Sequence, residues 1–310
     1  MVEVRNLAKS YGSFQALRGI SFDVPHGQVL GFLGPNGAGK TTTMKILTTF
    51  LAATSGGARV GGKDIAQAPL AVRHQLGYLP EDTPIYPDMT VLEYLRFVGD
   101  LREIERGEQR RRIASLAESC GLLRVLGKPI AQLSKGLRQR AGLAQAMIHD
   151  PALLILDEPT SGLDPNQIVE IRELIKELGK EKTVILSTHI LPEVQATCGR
   201  VIIINEGELV ADGTPTELAA DQHENAFRLL IDAGEVDARA VRGKLRQIKG
   251  IDRIRDIDGE KEALGFIVEA QGDRDLRREL FTCAIHNDWV LLELARQEVS
   301  LEDVFRKLTR

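Results

Sequence analysis

The sequence predicts an α/β fold built around a parallel sheet, followed by a smaller α+β domain. A glycine-rich loop at 34–41 separates an apolar run, 29–33, from a helical pattern. After residue 152, short apolar runs alternate with helical segments, as in parallel sheets whose strands are buried on both faces. Residues 221–310 then change to a β-α-β-β-α-β order, which predicts a separate domain.

Length and charge narrow the classes of function. A chain of 310 residues is long enough for one large domain and a smaller one. Because 40 Lys and Arg stand against 44 Asp and Glu, the net charge of −4 excludes the basic excess that binds nucleic acid. The 3 cysteines are widely spaced, which favours a reducing, cytosolic compartment. No stretch approaches the ~20 apolar residues of a membrane span, so any membrane role requires a partner.

The first part of the chain contains strand patterns at 2–7, 17–24 and 29–33, and the last of these leads into a helix from near Gly39. Residues 90–149 show helical periodicity and many charges, broken by glycine and proline into several helices. We therefore expect a helical subdomain at about 84–150.

The segments that follow are predicted to complete the parallel sheet of a domain spanning 1–220. They are strands at 153–156, 183–186 and 201–204, with a helix at 167–178. Because these strands are almost wholly apolar, helices are expected to cover both faces of the sheet.

The C-terminal domain, 221–310, is predicted to be ferredoxin-like. Its strand patterns lie at 227–231, 251–257, 264–270 and 289–294, with helices around 236–248 and from Arg274. The polar stretch 219–225 is the expected linker.

The loop Gly-Pro-Asn-Gly-Ala-Gly-Lys-Thr satisfies the motif G-x-x-x-x-G-K-[ST]. Its glycines allow backbone N–H groups to converge with a helix N-terminus on the α- and β-phosphates of a nucleotide. Lys40 is expected to reach the β- and γ-phosphates, and the Thr41 hydroxyl to bind Mg²⁺. A glycine-rich turn without a ligand is the alternative, which the flanking strand and helix disfavour. The predicted nucleotide-binding residues here are Gly34, Pro35, Asn36, Gly37, Ala38, Gly39, Lys40, Thr41 and Thr42.

Two adjacent carboxylates, Asp157 and Glu158, end the apolar run 153–156. A buried parallel strand delivers its last residues to the carboxyl edge of the sheet, where ligands of open α/β sheets bind. Asp157 is expected to hold Mg²⁺ through water, and Glu158 to polarise the attacking water. Alone, two acids after a strand are equally compatible with a solvated turn, but the upstream loop favours the catalytic interpretation.

Further motifs resemble those of ABC ATPases. Residues 133–140, Leu-Ser-Lys-Gly-Leu-Arg-Gln-Arg, are similar to the signature motif, and Ser-Gly-Leu-Asp at 161–164 is similar to the D-loop. His189 stands at the position of the switch histidine, and Tyr11 at that of the adenine-stacking aromatic. The resemblance covers roughly residues 1–220, and the order of the motifs along the chain supports it.

The resemblance implies that ATP and Mg²⁺ are the cofactors and that two copies of the chain close head to tail. Ser134 and Gly136 of one copy would then donate to the γ-phosphate held by Lys40 of the other. His189 would contact the γ-phosphate and orient the water and Glu158. Ser134 can also be an ordinary helix N-cap, and the two roles are compatible.

Two positions depart from the family pattern. Glu81 stands where the family usually has glutamine; a carboxylate can bind Mg²⁺ or accept a hydrogen bond, but it cannot donate one. Lys135 replaces the first glycine of the signature, and Leu137 replaces its usual polar residue. A lysine there is compatible with a nearby phosphate and equally with a solvated side chain.

These departures, with a C-terminal extension ending in 300–305, resemble the ABC-2 type exporter branch, including the gliding-motility type. The branch implies a separate membrane-spanning permease as partner, and a peripheral location on the inner face of the cell membrane. In similar transporters the segment 84–91 lines a groove that receives a helix of the membrane subunit. Core packing under a loop is the alternative for this segment.

Two other functions are alternatives to transport. One is a soluble ABC ATPase acting on DNA or ribosomes, but the chain lacks a long coiled coil between the loop and the signature, and a second such domain. The other is a regulatory ATPase switch whose output is the C-terminal module. That module contains no cofactor or metal pattern, since His223 and His286 are isolated.

Overall fold

The computed structural model describes residues 1–220, 225–234, 236–258, 263–272, 274–297 and 301–309. The chain divides into two compact units: Met1–Pro215 with Phe305–Arg310, and Thr216–Val304. The boundary expected between 220 and 221, and the linker around it, stay predictions because residues 221–224, including His223, lie outside the described residues; Ser300 does as well.

The first unit is built from strands in two sheets and from helices between them. The strands are β1 (Val2–Tyr11), β2 (Phe14–Val24), β3 (Val29–Leu33), β4 (Ser55–Val60), β5 (Lys63–Asp64), β6 (Leu76–Leu79), β7 (Leu153–Asp157), β8 (Thr183–Thr188), β9 (Arg200–Asn205) and β10 (Glu208–Gly213). The helices are α1 (Lys40–Leu47), α2 (Pro69–Gln75), α3 (Val91–Leu101), α4 (Arg106–Ser119), α5 (Lys135–Met147), α6 (Pro165–Gly179) and α7 (Leu191–Thr197), and α8 (Pro215–Ala220) follows β10.

The central sheet has the order β10-β9-β3-β8-β7-β6, and only β10 runs antiparallel to its neighbour. Its strands are buried on both faces, and Phe32, Ile155 and Ile185 are fully inaccessible to solvent. This burial explains the apolar runs of the sequence. Because β3, β8 and β7 are adjacent and parallel, their carboxyl ends meet at one edge of the sheet.

A second, antiparallel sheet has the order β2-β1-β4-β5. β1 and β2 form a hairpin in which Tyr11 lies opposite Phe14. Phe22 of this hairpin packs against Phe32 of the central sheet, with ring centroids 5.5 Å apart, so the two sheets share one core.

The region 84–150 contains α3, α4, α5 and two short 3₁₀ turns. α3 begins at a capping box in which Thr90 and Glu93 bond each other's backbone N–H groups. α5 begins after Ser134, whose hydroxyl accepts from the Leu137 backbone N–H. Within the described residues, no helix is long and apolar enough to cross a membrane.

The second unit has the predicted β-α-β-β-α-β order. It comprises β11 (Ala226–Asp232), α9 (Ala238–Leu245), β12 (Ile251–Ile257), β13 (Leu264–Ala270), α10 (Arg277–His286) and β14 (Val290–Arg296); α11 (Leu301–Leu308) follows. The sheet order is β12-β13-β11-β14, antiparallel throughout, which is the ferredoxin-like arrangement. The predicted fold class is therefore confirmed.

Candidate functional site

The glycine-rich loop lies between β3 and α1, and close packing requires glycine at two of its positions. Gly39 has a φ of 110°, and a Cβ atom there would come 2.8 Å from the carbonyl oxygen of Ala16. At Gly34 a Cβ atom would come 2.3 Å from the carbonyl oxygen of Ile204. A side chain at either position would displace the backbone of a neighbouring segment, so these two glycines hold the loop in its shape.

Lys40, the first residue of α1, is buried beneath this loop with 5% of its surface exposed. Its Nζ atom donates to the carbonyl oxygens of Gly34, at 2.8 Å, and Pro35, at 3.2 Å. The same Nζ atom lies 3.6 Å from Oε1 of Glu158. The ammonium group is thus held between the loop and the catalytic carboxylate that the sequence predicts.

Asp157 is fully buried at the end of β7. Its Oδ1 atom accepts from the hydroxyl of Ser187, whereas Oδ2 has no hydrogen-bond partner among the described residues. Burial raises the pKa of this carboxyl above its ordinary value, and the Ser187 and Thr41 hydroxyls oppose that rise. A buried carboxylate oxygen without a partner costs folding free energy unless a cation or a water molecule binds it.

The oxygen atoms near Asp157 suit a hard divalent cation. The Thr41 hydroxyl is its neighbour, and Glu81, two residues after β6, lines a cavity together with both of them. Carboxylate and hydroxyl oxygens with space for retained water are the ligands that Mg²⁺ prefers. The residues present therefore fit the metal that the sequence predicts.

Glu158 follows β7 with a positive φ of 49°, an uncommon conformation for a residue with a side chain. Its backbone N–H donates to the carbonyl oxygen of Ser187 at 3.0 Å, which fixes the turn. The Oε2 atom lies 3.0 Å from Nδ1 of His189, while Oε1 faces Lys40. An ionised carboxylate can only accept, so the Nδ1–H group donates, and each carboxylate oxygen has a different partner.

A cavity of about 550 Å³ brings most of the predicted site residues together. It is lined by residues from the β1–β2 hairpin, the glycine-rich loop and the carboxyl edge of the sheet: Tyr11, Phe14, Ala16, Asn36, Gly37, Gly39, Lys40, Thr41, Thr42, Glu81, Glu158, Ser161 and His189. Gly34, Pro35 and Ala38 belong to the same loop but do not line the cavity. Asp157 lines a neighbouring cavity of about 520 Å³, which shares Thr41 and Glu81 with the first.

The hairpin contributes two aromatic rings to this cavity. Tyr11 and Phe14 are both about half exposed or more, and they face each other across the turn. Lys9 Nζ lies 5.2 Å from the centroid of the Tyr11 ring, within the range of a cation–π contact. Phe14 is not among the residues predicted from the sequence; its signal there is an aromatic side chain three positions after the tyrosine predicted to stack on adenine.

Ser134 and Gly136 do not line the cavity of their own chain. Ser134 is the N-cap of α5, and Gly136 is buried against α6, where a Cβ atom would come 2.4 Å from Oε1 of Gln167. The structure therefore does not join these two residues to the glycine-rich loop within one chain.

A strand that leads into a glycine-rich loop with a buried lysine, together with two acids at the end of β7, defines a P-loop nucleotide hydrolase. A model of the ABC transporter family matches residues 17–161. The linearmycin resistance ATP-binding protein LnrL of Bacillus subtilis is 33% identical over 310 residues, covering 100% of this chain and 98% of that protein.

Two further proteins extend the comparison. The Nod factor export ATP-binding protein I of Paraburkholderia xenovorans is 36% identical over 222 residues, 71% of this chain and 73% of that protein. A dimeric ATP-binding cassette, solved in a post-hydrolysis state with ADP and Pi, has a TM-score of 0.64 and 25% identity, covering 69% of this chain and 98% of that one.

The chain therefore belongs to the ATP-binding proteins of ABC transporters. It is an ATP-binding subunit with the ATPase activity of that family, as the motifs predict. The comparisons favour this function over a soluble ATPase that acts on DNA or ribosomes.

Proposed function

We propose that this chain is the energy-coupling subunit of an ABC-2 type exporter and drives a separate membrane-spanning permease. The observation that carries the hydrolytic part is the Glu158 carboxylate, held between Lys40 and His189 at the wall of the 550 Å³ cavity. Export is supported by relatives named for resistance to linearmycin and for Nod factor export.

Nucleotide binding would use the loop and the hairpin together. The backbone N–H groups of residues 36–41 and the N-terminus of α1 favour the phosphates, because both present positive partial charge. Lys40 would exchange its carbonyl partners for phosphate oxygens, a charge-assisted interaction. Tyr11 would stack on the adenine, with Lys9 against its ring.

Thr41, Asp157 and Glu81 would hold Mg²⁺ near the phosphates. The unpartnered Oδ2 atom of Asp157 supports this assignment, because a metal or its bound water would satisfy a buried acceptor. A bound Mg²⁺ ion neutralises charge on the phosphate oxygens. Glu81 would contribute as an acceptor only.

Hydrolysis would depend on Glu158 as the group that polarises the attacking water. His189 orients the carboxylate through its Nδ1–H group, which leaves Nε2 available toward the cavity. The Glu158 side chain faces the loop, since its Oε1 atom lies 3.6 Å from Lys40 Nζ. A carboxylate that positions water needs a fixed orientation and a place beside the phosphates, and the contacts of Glu158 with His189 and Lys40 support both.

The site would be completed by a second copy of the chain. Ser134 and Gly136 lie at the N-terminus of α5, whose N–H groups and dipole favour an anion. In a head-to-tail dimer they would meet the γ-phosphate held by Lys40 of the other copy. The dimeric relative with ADP and Pi supports this assembly.

The permease is proposed to bind at the neighbouring 520 Å³ cavity. Phe50, of which 76% is exposed, lines it with Tyr78, Pro84 and Arg102. The adjoining Tyr86 is held by an edge contact with Phe97, ring centroids 5.4 Å apart. Apolar exposure beside a polar rim is typical of a docking surface. This contact would hold the chain on the cytoplasmic face of the membrane.

ATP-driven assembly of the Glu158→Gln variant tests the composite site. This variant should bind ATP, hydrolyse it slowly and elute as a dimer in size-exclusion chromatography with light scattering. Adding Lys40→Ala to the same background should abolish the dimer, because the phosphates lose their cation. A Glu158→Gln chain that remains monomeric at saturating ATP would contradict the composite site.

Copurification tests the transporter function itself. The tagged chain should capture a membrane-spanning protein after mild detergent solubilisation, and Phe50→Asp should reduce that capture while ATP binding is retained. Capture of ribosomes or DNA, with no membrane protein, would contradict the exporter assignment.

A further inference from the structure

The Lys135 side chain lies across the loop that precedes α6. A Cβ atom built on Gly162 would come 2.1 Å from Lys135 Nζ, 3.1 Å from Cε and 3.3 Å from Cδ. Gly162 also has a φ of 68°, a backbone conformation that favours glycine, and a side chain at 162 would compete with the Lys135 chain for the same space. The outer part of the Lys135 side chain therefore occupies the space next to the Gly162 Cα atom where a Cβ atom would otherwise lie.

Two further contacts join the same pair of elements. The bare Cα of Gly136 faces the Gln167 side chain, where a Cβ atom would come 2.4 Å from Oε1. One turn further along, Arg140 forms an ion pair with Glu170. The start of α5 is thus attached to the loop and first turns of α6 at three successive points.

The two attached segments face different nucleotides in the proposed dimer. Ser161, the residue before Gly162, lines the cavity of its own chain. Ser134, the residue before Lys135, lies outside that cavity and would serve the nucleotide of the other copy. The contact between Lys135 and Gly162 consequently joins a segment that lines one ATP site to a segment that would serve the other.

We propose that Lys135 is a positioning residue that couples the two ATP sites of the dimer by packing its aliphatic chain on Gly162. The contact holds Ser134 and Ser161 in one relative geometry, so that closure at one nucleotide aligns the donor for the other. The inference rests on the composite site proposed above. It explains why a lysine can replace the glycine usual at this position of the signature.

A double-mutant cycle tests the contact, using Lys135→Ala and Gly162→Asn. Asparagine accepts a positive φ better than other residues, so its effect reports the clash of its Cβ with Lys135 more than backbone strain. Each single variant should lower kcat about fivefold to tenfold and reduce the Hill coefficient for ATP, with KM little changed. In the Lys135→Ala background, Gly162→Asn should lower kcat by less than about twofold, because the Lys135 chain is no longer there to clash with the asparagine Cβ.

Lys135→Met is the matched control, because methionine keeps an unbranched chain of similar length without the charge. It should retain the kcat and the Hill coefficient of the unaltered chain within about twofold. Strictly additive losses in the cycle, or a Met variant as impaired as Lys135→Ala, would overturn the proposal. So would Lys135→Ala variants that change KM alone.

The Glu158→Gln background separates this inference from the function on which it rests. If Glu158→Gln dimerises with ATP and the cycle is additive, only the coupling role of Lys135 fails. If Glu158→Gln stays monomeric, the composite site and the coupling role fail together.

Discussion

The carboxyl edge of the central sheet and the interior of the sheet in the second unit bury different kinds of side chain. At the carboxyl edge of the central sheet, Asp157 is buried with one oxygen unpartnered among the described residues, and Glu158 has a positive φ. The four-stranded sheet of the second unit instead buries aromatic and aliphatic side chains, among them Phe227, Phe266 and Leu280. The first arrangement costs folding free energy and places charge where phosphate would bind, whereas the second stabilises the fold. Apolar packing therefore stabilises both sheets, but of the two, in the part of the chain that the structure describes, only the central sheet also ends in buried charged groups suited to chemistry.

Removing the carboxylate charge of Glu158, the proposed catalytic group, should give the largest effect. Glu158→Gln should lower kcat by about 100- to 10,000-fold, because an amide cannot accept the proton of the attacking water. Phosphate release measured at saturating ATP checks this, with nucleotide affinity measured separately. Glu118→Gln, on an exposed position of α4, should retain full turnover. Turnover within tenfold of the unaltered chain in Glu158→Gln would exclude the assignment.

Removing a core aromatic side chain from the second unit should lower the stability of that unit. Phe266→Ala should reduce the free energy of unfolding of that unit by about 3–5 kcal/mol, through lost burial and a residual cavity. Denaturant melts followed by circular dichroism check the loss. Phe281→Ala, an aromatic in the same unit that is 50% exposed, should cost less than about 0.5 kcal/mol. Equal losses for the two variants would contradict the assigned core.

The two rings of the hairpin predict a smaller, selective effect. Phe14→Ala should raise KM for ATP about threefold to tenfold without changing kcat, because stacking contributes to binding and not to chemistry. Phe14→Tyr should restore the lower KM, since it keeps the ring. Steady-state kinetics on the three proteins decide this. A fall in kcat at constant KM would indicate that Phe14 acts on hydrolysis instead.

Replacing the buried carboxylate of Asp157 should give the smallest change of the four, a gain in thermal stability. Burial raises the pKa of Asp157 in the folded protein, so its stabilising contribution is present at low pH and lost as pH rises through that raised pKa. Asp157→Asn mimics the neutral acid and should therefore raise Tm at pH 7 more than at pH 4, in metal-free buffer. Thermal melts at both pH values test the sign. Asp88→Asn, on an exposed loop, should leave Tm unchanged.

Much of the fold could be predicted from local patterns. The strands at 29–33, 251–257 and 264–270 have the predicted bounds, because their apolar residues are bracketed by glycine or polar turns. The β2 strand begins earlier than predicted, at Phe14 instead of Leu17. Its first two residues, Phe14 and Gln15, are exposed and show no apolar alternation, so the pairing with β1 is what makes them part of the strand.

The candidate site also contains one part that the sequence predicts and one part that only the folded chain reveals. Lys40, Asp157 and Glu158 stand in motifs whose residue types and spacing point to a chemistry, so they could be predicted as site residues from the sequence. The contact of Lys135 with Gly162 joins two segments that approach only in the folded chain. The periodicity of one helix carries no information about a contact with a distant segment. From the sequence alone, Lys135 could therefore equally be a phosphate contact or a solvated side chain.

The close packing of Gly34 and Gly39 against neighbouring backbone has a consequence for the thermodynamics of binding. The carbonyl oxygens of Ile204 and Ala16 lie where side chains would be, so the loop has little freedom to rearrange. Incoming phosphate then meets N–H groups that are already oriented, and little conformational entropy is lost on binding. Affinity for the nucleotide should depend mainly on the electrostatics of the loop, and should weaken as ionic strength rises.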